Sequence, residues 1–188
     1  MKLSDLKAGS NTKQTLLLPV ASPYPVEITA ICGSQPGKTL IVTAGIHGCE
    51  YVGIEALNRL KKELDPAGLS GRIILLPLVN PEGFYMGAKQ TIPADGQNLN
   101  RMFPGDPAGT FSSRFAKILE KVLYPEADFL MDLHGGDINE ALTPLIFFPA
   151  AVPDTLAAKT SAAAAALSVP YRVASTSKNG LYSWAAQC

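Results

Sequence analysis

The sequence predicts an α/β fold on a mixed, mostly parallel sheet, from two strand–helix–strand units and an antiparallel pair of strands ahead of them. Three apolar runs carry that expectation: Thr39 to Ala44 (TLIVTA), Arg72 to Val79 (RIILLPLV) and Asp128 to Leu133 (DFLMDL). Continuous runs of this kind suit strands covered on both faces. With 188 residues, 47% of them hydrophobic, the chain can bury one sizeable core. A single domain over 1–188 follows.

The elements read in order. Thr15 to Val20 and Val26 to Cys32 are short strands separated by the turn-rich Ala21-Ser22-Pro23-Tyr24-Pro25. After TLIVTA, the apolar residues Tyr51, Val52, Ile54, Leu57, Leu60 and Leu64 recur at helical spacing, which predicts a helix of about four turns. RIILLPLV is the next strand, and Pro77 within it suggests a sheet edge or a bulge. From Glu82 to Gly109 no period is visible, so a functional loop is expected. Thr110 to Leu123 has amphipathic helical spacing, and DFLMDL closes the second crossover as a buried strand. A strand at Leu145 to Phe148, an Ala-rich helix from Asp154 to Leu167, a strand at Tyr171 to Ser175 and a helix from Leu181 complete the chain.

Composition narrows the function. Lys plus Arg and Asp plus Glu each number 16, so no global field draws in nucleic acid or an anionic membrane. No apolar run reaches the roughly 20 residues that span a bilayer. The start, Met1 to Ser10, is polar and does not read as a leader. Cys32, Cys49 and Cys188 are odd in number and widely spaced, which indicates neither a disulfide framework nor a thiolate metal site and fits a reducing cytoplasm.

The chemistry sits where two strands end. Ligands of open α/β sheets bind beyond the carboxyl ends of the strands, and both histidines of the chain lie there. His47 follows TLIVTA in Gly45-Ile46-His47-Gly48, and His134 follows DFLMDL directly in Asp132-Leu133-His134-Gly135-Gly136. Glu50 can reach back toward the same point. A lone histidine is ordinarily a satisfied structural residue, but two of them beside glycines at strand mouths, with a carboxylate three residues from one, favour a metal. Two imidazoles and a carboxylate leave a tetrahedral position open, which suits a catalytic zinc ion, Zn2+. Asn98-Leu99-Asn100-Arg101 adds an amide beside a guanidinium, a pairing able to bind a substrate carboxylate. Cys49 reads as a packed small residue. Asp132 and Asp137 are candidates for supporting or water-positioning roles, with a structural hydrogen bond the plainer role for Asp132. Nothing in their spacing brings Glu82 or Glu140 to the metal.

Taken in order, GIHGCEYVG, NPEGF, DGQNLNRMFPG and DLHGG resemble the succinylglutamate desuccinylase and aspartoacylase family, relatives of the zinc carboxypeptidases. The motif resemblance covers about Thr39 to Gly136 and extends more loosely to Trp184. It implies a three-layer α/β/α, carboxypeptidase-like fold, one zinc per chain, and hydrolysis of an amide bond in a small N-acyl amino acid by metal-activated water. His47, Glu50 and His134 match the zinc ligands, and Asn100 with Arg101 the pair that binds the substrate carboxylate. Asn98 stands where many relatives carry an aspartate bonded to a zinc-binding histidine; its carbonyl oxygen can still accept that bond.

Two departures accompany the resemblance. Where relatives place an arginine that polarises the scissile carbonyl, this chain has Lys89-Gln90, and Lys89 substitutes only if the loop shifts. The general-base glutamate of the family is expected beyond Cys188, as are further strands and a C-terminal domain. The chain therefore reads as an incomplete catalytic domain of low or no activity, with an exposed sheet edge that favours self-association. A carboxypeptidase acting on peptides and a metal-binding or ligand-binding pseudoenzyme are the alternative readings.

Overall fold

The computed structural model describes residues 2–20 and 22–188; Met1, and Ala21 at the start of the expected turn, lie outside the described residues. Strands β1 (Thr12–Leu17) and β2 (Glu27–Cys32) pair antiparallel, the arrangement the sequence predicts, with β1 starting and ending three residues earlier than the expected Thr15 to Val20. β3 (Gln35–Ala44) leads through a short loop into helix α1 (Tyr51–Glu63) and back to β4 (Ser70–Leu76), which lies parallel to β3 and antiparallel to β2. Helices α2 (Pro81–Met86) and α3 (Phe111–Leu123) precede β5 (Phe129–Leu133), which is parallel to β3 on its other side. The resulting order is β1-β2-β4-β3-β5. β6 (Leu145–Pro149) and β7 (Tyr171–Ser175) form a separate parallel pair, with α4 (Asp154–Ala165) between them in sequence and α5 (Leu181–Ala185) after them.

Alternation along the strands sorts side chains onto two faces. Ile31, Val42, Ala44 and Leu75 pack on Leu57 of α1. Ile28, Ala30, Ile41, Ile74 and Leu76 point the other way, onto Phe115, Leu119 and Leu123 of α3. Sheet between helices is the three-layer architecture expected. Each fully buried Leu or Ile contributes about 1.5–3 kcal/mol relative to exposure, so both faces are needed to hold β3 and β4 in the middle.

Three expectations need correction. β4 is flanked on both sides and ends at Leu76, so Pro77 marks neither an edge nor a bulge; it stands one residue past the ladder, where its missing N–H is not required. β5 is half-buried along its whole length rather than fully buried, because β3 covers one flank and it forms the outer edge of this sheet among the described residues. The stretch from Glu82 to Gly109 contains most of α2 and a 3₁₀ turn at Leu99–Arg101. Asn80 accepts from the N–H of Gly83 at 2.9 Å, Pro81 opens the helix, and Gly87 closes it at φ 66°.

Candidate metal centre

The register of the sheet places the histidines. Ala44, the last residue of β3, pairs with Leu133, the last of β5, so His134 and the His47 loop leave the sheet side by side. Gly45 turns the chain at φ 63°, a conformation glycine adopts without strain. Gly48 passes so close to α2 that a Cβ there would fall on the backbone of Gly83 and Phe84.

His47 and Glu50 are buried, and the His134 side chain is 32% exposed. Nδ1 of His47 lies 2.7 Å from Oε1 of Glu50, and Nδ1 of His134 lies 2.8 Å from Oε2 of the same carboxylate. One ligand atom from each of the three residues falls within 4.8 Å of the others. The N–H of Gly135 also donates to Oε2, at 3.1 Å. Glu50 occupies the N-cap position of α1 yet makes no capping bond; its carboxylate serves the imidazoles instead.

The outer nitrogens are held as well. Nε2 of His47 lies 3.2 Å from Oδ1 of Asn98, which also accepts from the N–H of Asn100 at 2.9 Å. Nε2 of His134 lies 3.0 Å from Oδ2 of Asp132, and the hydroxyl of Thr43 donates to the other Asp132 oxygen at 2.6 Å. Burial alone would raise the pKa of Glu50, but hydrogen bonds from His134 and His47 hold it down to about 2. Burial disfavours a charged His134, yet Asp132 and Glu50 outweigh it and push its pKa up to about 10. The centre is a carboxylate held between two imidazoles. Two imidazoles and a carboxylate converging on one point are also the donor set of a zinc site, and the residues fit the ion.

The other sequence candidates fall at different distances from this point. Asn100 is buried; its Oδ1 accepts from the N–H of Leu181 at 2.8 Å and its Nδ2 lies 3.3 Å from Nε2 of His134. Arg101 is exposed, and Nη1 donates to the carbonyl of Asn100 at 2.8 Å. Lys89 stands with Nζ 3.9 Å from Oε1 of Glu140, both side chains more than half exposed. The buried Cys49 thiol donates to the carbonyl of Ala88 at 3.4 Å.

Thr43 and the N–H of Leu181 escaped the sequence reading. The signal for Thr43 was present: TLIVTA and DFLMDL each carry one polar residue next to their last position, and these two, Thr43 and Asp132, are register partners.

Comparison with known proteins follows from this geometry. A model of the Succinylglutamate desuccinylase/Aspartoacylase catalytic domain matches residues 36–187. The chain is 43% identical over 100 residues to the N-alpha-acetyl-L-2,4-diaminobutyric acid deacetylase of Halomonas elongata, covering 53% of this chain and 29% of that protein. It is 31% identical over 134 residues to the succinylglutamate desuccinylase of Pseudomonas paraeruginosa, covering 66% and 39%. A succinylglutamate desuccinylase/aspartoacylase structure from Rhodobacter sphaeroides superposes with a TM-score of 0.78 at 32% identity, covering 92% of this chain and 53% of that one. The product-bound ectoine utilization protein EutE (DoeB) of Ruegeria pomeroyi gives 0.77 at 29% identity, covering 93% and 55%. The chain thus spans about half the length of these solved relatives and less of the curated ones.

Proposed function

The chain belongs to the succinylglutamate desuccinylase/aspartoacylase family, and from that membership we propose that it forms the metal-binding part of a zinc-dependent amidohydrolase that cleaves the amide bond of a small N-acyl amino acid. The observation that carries this reading is the convergence of His47, Glu50 and His134 beyond the ends of two adjacent parallel strands. A zinc ion held by these three residues supplies Lewis-acid polarisation of the scissile carbonyl and activation of water.

The rest of the centre prepares that site. Asn98 accepts from Nε2 of His47, which leaves Nδ1 as the lone-pair nitrogen facing the metal position, and Asp132, oriented by Thr43, does the same for His134. Arg101 spends one N–H on Asn100 and keeps the rest of its fork for a substrate carboxylate. Asn100, its Oδ1 tied to the N–H of Leu181, stands beside His134 on the same loop as Arg101. Lys89 reaches a developing oxyanion only by leaving Glu140. Both carboxylates that touch the imidazoles are committed, Glu50 to the two histidines and Asp132 to Thr43 and His134. Neither is free to take a proton from water, so this chain by itself binds more effectively than it turns over. Its three free thiols suit a reducing cytoplasm, and none of its described helices is long and apolar enough to cross a membrane.

Equilibrium binding of N-acyl amino acids to the zinc-supplemented chain tests the reading. At least one should bind, Arg101→Ala should weaken it about tenfold or more, and masking the ligand carboxylate as an amide should have a similar effect. Binding of none, or binding indifferent to both changes, contradicts the proposal. Tighter binding of short peptides than of any acyl amino acid would transfer the reading to a carboxypeptidase.

A further inference from the structure

The two loops that carry the metal ligands are tied together by two backbone donors. Gly135, next to His134, donates its N–H to Oε2 of Glu50 at 3.1 Å. That bond falls on an oxygen that His134 also contacts, so it competes with whatever the carboxylate holds. The second tie uses no ligand atom: the N–H of Ile138 donates to the carbonyl of Cys49 at 2.9 Å. Cys49 stands between His47 and Glu50, and Ile138 follows His134 by four residues.

Ile138 makes this tie from a strained backbone. It is held at φ 54°, in the left-handed region where a β-branched residue is an outlier. It is the first central residue of the turn Asp137 to Glu140, which is closed by the N–H of Glu140 donating to the carbonyl of Asp137 at 2.9 Å. Glycine, asparagine and aspartate are the residues that ordinarily take a positive φ at that position. Packing does not account for the isoleucine, because it is 56% exposed. Its surroundings hold the backbone instead. Asp137 is 6% exposed and donates its N–H to Oε2 of Glu140 at 3.1 Å. A Cβ on Gly136 would fall on the backbone of Glu140, so the turn is folded against the chain that leaves His134. On the acceptor side, the thiol of Cys49 donates to the carbonyl of Ala88 at 3.4 Å, which fixes Cys49 from another direction.

We propose that Ile138 is a positioning residue for the metal centre: its bond to Cys49 sets the spacing between the His134 loop and the loop of His47 and Glu50. The left-handed backbone aims the N–H at Cys49, and released from that bond a β-branched residue returns to negative φ and takes the His134 loop with it. Because the tie bypasses the carboxylate, it persists when Glu50 turns to an ion. The inference rests on the metal-centre reading and extends it to a residue that supplies no ligand atom.

Two substitutions at this exposed position separate the backbone bond from the side chain. Ile138→Pro removes the N–H and forbids a positive φ, whereas Ile138→Gly keeps the N–H and relieves the strain. Zinc affinity, by competition with a chelator, and the absorption spectrum of the cobalt(II)-loaded chain are read for each. Ile138→Pro should bind zinc about tenfold or more weakly than the wild type and shift the cobalt spectrum, with its metal-free circular dichroism unchanged. Ile138→Gly should bind at least as tightly as the wild type and keep its spectrum. A folded Ile138→Pro that matches the wild type in both readouts overturns the inference. So does an Ile138→Gly that binds more weakly, since the side chain and not the bond would then hold the loop; this comparison decides alone if Ile138→Pro does not fold. A wild type that takes up neither ion overturns the parent reading as well, whereas one that takes up zinc confines any failure to Ile138.

Discussion

Nδ1 of His134 lies 2.8 Å from Oε2 of Glu50, across 84 positions of sequence. The contact brings the end of β5 to the first turn of α1, and the other oxygen of Glu50 binds His47. A single carboxylate thereby fixes two imidazoles before any metal arrives, which lowers the ordering cost of forming the site.

Asn98 sets the tautomer of His47 through a neutral amide oxygen. Removing it with Asn98→Ala should lower zinc affinity about 10–100-fold, while Asn98→Asp should raise it. Competition with a chromophoric chelator measures both. Unchanged affinity in Asn98→Ala would mean that the amide positions the loop and not the metal ligand.

Asp95 caps α3 from outside the helix, accepting from the N–H of Ser112 at 2.7 Å and from its hydroxyl at 2.6 Å. Burial pushes its pKa up, but the bonds from Ser112 and Gln97 outweigh this and hold it below the usual carboxylate range. A carboxyl group with a depressed folded pKa contributes stability above its unfolded value, and the contribution disappears as pH falls through the folded one. Asp95→Ala should therefore cost about 1 kcal/mol at neutral pH, and its gap from the wild type should close on acidification. Urea unfolding at the two pH values checks this; a constant gap would count against the cap.

Arg72 is a buried cation with four partners. It donates to the carbonyls of Leu3 and Leu6 at 3.2 and 2.6 Å, to Oε2 of Glu126 at 2.6 Å and to the hydroxyl of Thr39 at 3.3 Å. Arg72→Met leaves Glu126 and two carbonyls without their donor and should destabilise by about 3–5 kcal/mol. Adding Glu126→Met should recover part of that loss. A double variant as unstable as the sum of the singles would show that the pair is not coupled.

Gly48→Ala probes how tightly the His47 loop is packed. The added Cβ meets backbone atoms of Gly83 and Phe84 rather than a flexible side chain, so relief requires moving α2. We expect a loss of about 1–3 kcal/mol by urea unfolding, with weaker zinc binding as His47 shifts. A variant as stable as the wild type would show that the loop yields.

Much of this was legible in the chain because buried parallel strands advertise themselves. TLIVTA and DFLMDL are mostly apolar runs, and a histidine at the mouth of each points to the centre without tertiary information. Weaker patterns hid the rest. The first residues of β3, Gln35 to Lys38, are exposed and include Pro36 and Gly37, which read as a turn, so the strand looks shorter in sequence than it is. α2 has only six residues, too few for an apolar period, and its capping residues Asn80, Pro81 and Gly87 were the readable signal. The edge position of β5 depends on which strands flank it, and the bond from Leu181 to Asn100 spans 81 positions; neither is a local property. Asp137 reads as one more acidic residue until its burial is known.

Metal content most directly tests the central claim. Purified wild type and the His47→Ala, His134→Ala double variant, each equilibrated with zinc and freed of excess, should be compared by elemental analysis. About one zinc per wild-type chain, lost in the variant, is the predicted result. A folded wild type that retains no zinc, or a variant that retains as much as the wild type, would contradict the assignment of His47, Glu50 and His134 as the metal centre.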